Sequence, residues 1–123
     1  MNDVVLAENK IAMMVANGFN ETEFIALQKA IMKKKAQAKI ISSQIGLIYS
    51  DPKTGNGISY AVDYALSETL AVDYNCLIVV GGLKHVEKLS DEPHAIRLIR
   101  AFLRESMPIL FVSEGSKLLE LQV

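Results

Sequence analysis

Ser113, His85 and Glu23 have the side-chain types of a nucleophile, a base and an orienting carboxylate, the set that acyl transfer needs. Ser113 opens the tripeptide Ser113-Glu114-Gly115, directly after the apolar run Pro108-Ile109-Leu110-Phe111-Val112, where a strand would turn tightly into a helix. His85 stands three residues beyond Gly81-Gly82, and that pair ends a second apolar run. Both residues should therefore lie at the carboxyl edge of a sheet, with the backbone amides after Gly81 and Ser113 as candidate oxyanion donors. Amides at the elbow would also attract a small anion or carboxylate, which makes Gly81, Gly82, Glu114 and Gly115 the candidate ligand-binding residues. Glu23 and Glu114 oppose that attraction, unless one of the two is protonated by the pressure of its neighbour's charge and bonds the other.

Each of these residues also has a purely structural reading. Glu23 follows Asn20 at the spacing of a capping box. A tight turn needs Gly81 and Gly82 whether or not an anion binds, and a loop histidine is more often exposed than catalytic. The sole cysteine, Cys76, falls at the amino end of the central apolar run, away from the crevice, and reads as a small packing residue. The run Lys33-Lys34-Lys35 closes a helix at its negative pole.

The elements that must position these groups follow from the apolar pattern. Strands are expected over residues 10–16, 38–42, 74–82 and 108–112, the third, Tyr74-Asn75-Cys76-Leu77-Ile78-Val79-Val80-Gly81-Gly82, being buried on both faces. A helix over 21–35 would bury Phe24, Leu27 and Ile31. Residues 46–50 and 58–62 flank the turn-forming Asp51-Pro52-Lys53-Thr54-Gly55-Asn56-Gly57 and read as an antiparallel hairpin inserted into the βαβ series. A helical turn is expected over 65–69, and a loop or short helix over 83–89. Ser90 or Asp91 would then cap a helix opened by Pro93, with Ile96, Ile99, Phe102 and Leu103 buried. A last helix should begin at Ser116 and run to Leu121. Residues 1–9, with the short apolar stretch 4–6, allow no assignment.

The chain has 123 residues, half of them apolar, with a formal net charge of −1. That suits one domain, residues 1–123, and lacks the basic excess that nucleic acid or an anionic membrane surface would require. No Cys/His cluster has metal-ligand spacing, so neither metal nor cofactor is expected. An acidic start and a single cysteine point to the cytoplasm.

Taken in order, KIAMMVANGFNETEF at the first strand and helix, Val62-Asp63, DYNCLIVVGG and PILFVSEGSKLL resemble the ThiJ/PfpI superfamily of class I glutamine-amidotransferase-like, flavodoxin-like domains. Within it, AKIISSQIG and the glycine-rich hairpin look most like the C-terminal domain of large-subunit catalases. The resemblance implies an α/β fold, a three-layer α/β/α sandwich around a parallel sheet in the order second, first, third, fourth strand. It also implies that Glu23 points from the first helix at the position of the nucleophile. That position is a cysteine in catalytic members and Ser113 here, and Glu114 stands where those members commonly carry histidine or alanine. A thiol at a helix N-terminus ionises readily, whereas a serine needs a positioned base. The expectation is a binding or oligomerisation module that keeps the family's crevice for a small-molecule ligand. The alternative is a serine-dependent hydrolase working through Ser113. Family members usually continue past the elbow helix with a further strand and helix, so the fourth strand would be left as an open edge; the segment from Val4 to Leu6 is one candidate to cover it, and a homodimer the more economical one.

Overall fold

Lys10 to Met14, β1, owes its central place to composition: every residue after Lys10 is buried, as only a strand covered on both faces allows. The computed structural model describes residues 10–116 and 118 of the chain. On one side β1 pairs in parallel with β2 (Gln37–Ser42), Lys10 opposite Gln37. On the other it pairs in parallel with β6 (Cys76–Val79), Ile11 opposite Cys76. β6 then pairs with β7 (Ile109–Phe111), again in parallel. β3 (Leu47–Tyr49) and β4 (Ser59–Ala61) form the inserted antiparallel hairpin, folded around a tight turn at Pro52–Thr54.

The expected strand order is present and gains one member. Tyr64–Ala65, β5, adds a parallel edge beyond β2, giving β5-β2-β1-β6-β7. A helical turn at Leu66–Glu68 follows at once, within the residues where one was expected.

Because side chains alternate across a strand, β1 divides its residues between two cores. Ala12 and Met14 join Val86, Leu89, Leu98, Ile99 and Phe102 on the face covered by α2 (Leu83–Ser90) and α3 (Pro93–Arg104). Ile11 and Met13 join Phe24 and Ile31 of α1 (Glu21–Lys33), with Ile48 and Val62 of the hairpin region, on the other. Helix, sheet and helix make the three layers. Each fully buried Phe or Leu on these faces contributes roughly 1.5–3 kcal/mol of transfer energy.

Two expectations about α3 need correcting. Its cap is Glu92, whose side chain accepts from the His94 amide, and neither Ser90 nor Asp91 does so. The buried residues are Ala95, Leu98, Ile99, Ala101 and Phe102, while Ile96 is partly buried and Leu103 exposed. At about 100° per residue, Ile96 and Leu103 share a line that flanks the centre of the buried face. Arg97, from the partly buried side of the same helix, donates through Nη2 to the carbonyls of Leu66 and Thr69, tying α3 to the turn after β5. The unassigned stretch 1–9 and most of the expected last helix lie outside the described residues. No helix among the described residues is long and apolar enough to cross a membrane.

Candidate functional site at the strand-to-helix elbow

β7 and β6 stay paired one residue past the strand, the Val112 amide donating to the Val79 carbonyl at 2.9 Å, and the chain then reverses. Ser113 makes the reversal with φ at +48°. Lys35 and Ser106 also have positive φ, but they follow helix ends, where a left-handed residue closes the last turn. Ser113 follows a strand, so its left-handed backbone marks an elbow, at a cost of about 1–2 kcal/mol. The short turn Ser113–Ser116 begins there, held by the Gly115 amide donating to the Val112 carbonyl at 2.8 Å.

The start of α1 brings Glu23 to the elbow. Half of the expected capping box forms: Asn20 Oδ1 accepts from the Glu23 amide at 3.1 Å. The other half does not, because the Asn20 amide donates to the Gly81 carbonyl at 2.9 Å and the Glu23 carboxylate turns to Ser113. Ser113 Oγ donates to Glu23 Oε2 at 2.6 Å. Glu23 Oε1 is buried and, among the described residues, has no hydrogen-bond partner. It fills the space a side chain at Gly81 would need, for a Cβ added there would overlap it and would stand 3.0 Å from Ser113 Cβ. Gly81 is therefore the residue that admits the Glu23 carboxylate. Gly82, with φ at +125°, passes so close to Gly18, Phe19 and Asn20 that a Cβ would meet their backbone at 2.7–3.0 Å.

The anion-binding reading of the elbow amides meets a self-filled site. The Gly82 amide donates to Glu114 Oε1 at 3.0 Å, so the chain's own carboxylate sits on it. The Gly115 amide, spent on Val112, closes the turn and does not face a ligand. The two carboxylates take separate donors, Ser113 for Glu23 and Gly82 for Glu114.

His85 is not placed as a base for Ser113. It lies in α2, fully buried, with Nδ1 accepting from the Ala16 amide at 3.1 Å and Nε2 donating to the Val80 carbonyl. Both nitrogens are thereby committed to backbone groups of the β1 and β6 ends. Burial pushes the imidazole down from the ordinary 6.5 to about 4, against the opposing pull of the Val80 carbonyl and the Glu114 carboxylate, so the ring is neutral near pH 7. What looks in the sequence like a loop histidine is a clamp between two strand ends. Ser113 is left with Glu23. A carboxylate by itself is far too weak a base to take a proton from an alcohol. Cys76 begins β6 at the amino edge as expected, partly buried, its thiol pKa raised by burial.

Sequence reasoning missed Glu21. This first residue of α1 is buried, and its carboxylate accepts from the amides of Asn56 at 3.0 Å and Gly57 at 2.7 Å and from the Ser50 hydroxyl at 3.1 Å. Its pKa is lowered, chiefly by the Asn56 amide. A glycine-rich hairpin tip 35 residues away in sequence gave no local signal that it would close on a helix start.

The DJ-1/PfpI family model matches residues 9–121. No curated protein matches the sequence. Among solved structures, a two-domain protein from Anabaena variabilis with DJ-1/ThiJ/PfpI-like and ferritin-like domains superposes with a TM-score of 0.83 at 17% identity, covering 91% of this chain and 31% of that one. A ThiJ/PfpI domain protein from Brachyspira murdochii gives 0.71 at 23% identity, covering 82% and 56%. An oxidised DJ-1 from Toxoplasma gondii gives 0.69 at 18% identity, covering 82% and 53%. This chain thus spans between about a third and just over half of the length of these structures.

Proposed function

The chain belongs to the DJ-1/PfpI family, and from that premise we propose that it is a non-catalytic member, a binding or assembly module that keeps the family's elbow without a working nucleophile. One observation carries the reading. The Ser113 hydroxyl is engaged by a carboxylate, and the histidine nearest in sequence to the glycine turn has both ring nitrogens bound to backbone. The self-filled amide at Gly82 adds to it, since an oxyanion would have to displace Glu114. A serine-dependent hydrolase is the competing reading, favoured by the left-handed backbone and exposure of Ser113. A fluorophosphonate probe separates the two. No covalent adduct at Ser113 is expected after prolonged incubation at pH 8, and an adduct lost in Ser113→Ala would overturn the non-catalytic reading.

Assembly can take two forms. A second copy could pair along the β7 edge, where Leu110 is 46% exposed. Attachment to a larger protein is the other, in line with the Anabaena structure, in which a similar domain accompanies a ferritin-like one.

A further inference from the structure

At the same carboxyl edge, on the far side of the backbone contact between Gly18 and Gly82, lies an open groove of about 250 Å³ between the β1–α1 loop, the hairpin and α2. We propose that this groove binds a small organic anion, its charged group held by Lys84 and Lys88 and its flat apolar body resting on Tyr49 and Pro52. The inference is independent of the elbow and holds whether or not Ser113 is reactive.

The walls are fixed before any ligand arrives. Asn17 Oδ1 accepts from the Tyr49 amide at 2.8 Å, and the Gly18 amide donates to the Tyr49 carbonyl at 2.8 Å. One step on, the Asp51 amide donates to the Phe19 carbonyl at 2.9 Å. The end of β3 is thereby laced to the loop after β1, so ligand binding need not order either segment. Gly18, with φ at +91°, lets α2 close on that loop: an added Cβ would stand 2.6 Å from Lys84 Cβ. The Lys84 stem thus forms one wall of the groove, and Lys84 is exposed there.

Charge selects the occupant. Lys84 and Lys88 are four residues apart, on one face of α2, and both line the groove. Among the described residues neither ammonium is in an ion pair. Asp51 is the opposing charge; its Oδ1 is occupied in capping the turn at Pro52, accepting from the Lys53 amide at 3.0 Å. Among the lining residues themselves two cations stand against one anion, with the Glu21 carboxylate behind Ser50 already neutralised by its own amide and hydroxyl donors. Tyr49 is 54% exposed beside it, so aromatic surface is open to a ligand there. A neighbouring depression of about 200 Å³ shares Asn17 and Lys88 and adds Ser43 and Gln44, so a polar extension of the ligand would be accommodated past Lys88. The groove falls below the ~300–1,000 Å³ usual for drug-sized ligands, which points to a compact aromatic carboxylate or phosphate ester.

Phenyl phosphate is a suitable probe, with benzyl alcohol as the neutral analogue and inorganic phosphate as the bare anion. In a two-dimensional amide NMR titration of the whole chain, phenyl phosphate should shift Asn17, Gly18, Tyr49 and Lys88 saturably, with Kd on the order of 1 mM for so few atoms. The double variant Lys84→Gln/Lys88→Gln, in which both exposed ammoniums are removed, should bind about tenfold more weakly. Tyr49→Ala should weaken phenyl phosphate and leave inorganic phosphate unchanged. Benzyl alcohol should produce no saturable shift. Unchanged affinity in the double lysine variant, inorganic phosphate binding as tightly as phenyl phosphate, or shifts centred on Gly81, Gly82 and Ser113 would each overturn the proposal.

Discussion

Ser113 and Glu23 make the pair on which the site turns, and Gly81 is the residue that lets them meet. Gly81→Ala would put a methyl group where Glu23 Oε1 now lies, so the carboxylate must leave or the elbow must shift. The expected cost is about 1–3 kcal/mol in urea unfolding, and stability equal to the parent chain would mean that Glu23 is not held there. His85 gives a second residue-scale expectation. Its folded pKa of about 4 lies below the unfolded 6.5, so the unfolded chain binds more protons between those values. Stability should be fully present above pH 6.5 and fall by about 3 kcal/mol as the pH drops from 6.5 to 4. His85→Gln should flatten that slope, and a slope of undiminished size in the variant would place its origin elsewhere. Ser113 and Glu23 were legible because an elbow and a helix start each have a short local signature. His85 was less so: residues 83–89 were open between a loop and a short helix, and only the helix, begun at Leu83, turns its third residue inward onto the strand ends.

The hairpin is the element whose attachment was least legible. Its strands, β3 and β4, announce themselves by the turn between them, yet nothing in a local pattern tells where an inserted hairpin docks. Glu21 docks it, from the first turn of α1, through the amides at the hairpin tip and through Ser50, whose Oγ in turn accepts from the Ile58 amide at 2.8 Å. Thr54 returns the interaction, accepting from the Glu21 amide at 2.9 Å. With its folded pKa lowered below the ordinary 4.5, Glu21 contributes stability that is present above pH 4.5 and is lost as the pH falls through the folded value. Amide exchange at Asn56 and Gly57, measured against the intrinsic rate at each pH, should therefore quicken as the pH falls below 4.5. Glu21→Gln should quicken it at pH 7 as well, since an amide NH₂ then faces backbone donors. Protection at both amides that is the same in parent and variant would rule out the latch. For α3 the apolar residues were visible but the centre of the buried face was not, because Ile96 and Leu103 sit on its flank and satisfy a helical period almost as well as Ala95 and Leu98.

On the scale of the whole molecule, the parallel sheet followed from the sequence because four apolar runs, each with a turn and a helical segment between, leave few topologies open, while its order came with the family resemblance. β5 was missed since two residues carry no period. Among the described residues β7 ends the sheet as an edge of three residues, with Leu110 opposite Ile78 and 46% exposed. We propose that a second copy covers this edge. Light scattering at micromolar concentration should give twice the mass of the chain, and a monomeric mass would contradict it. The topology also sets the two ends of the sheet apart chemically: Ser113 lies exposed at the carboxyl edge, on a left-handed elbow, and Cys76 lies partly buried at the amino edge with its thiol pKa raised. An intact elbow that lacks only its nucleophile should regain a reactive group when a thiol is restored there. In Ser113→Cys, with Cys76 kept as the internal reference, iodoacetamide followed by peptide mass spectrometry should show residue 113 alkylated well before Cys76. Cys76 modified first, or both at one rate, would contradict the placement of the elbow and with it the reading of this chain as a family scaffold without its nucleophile.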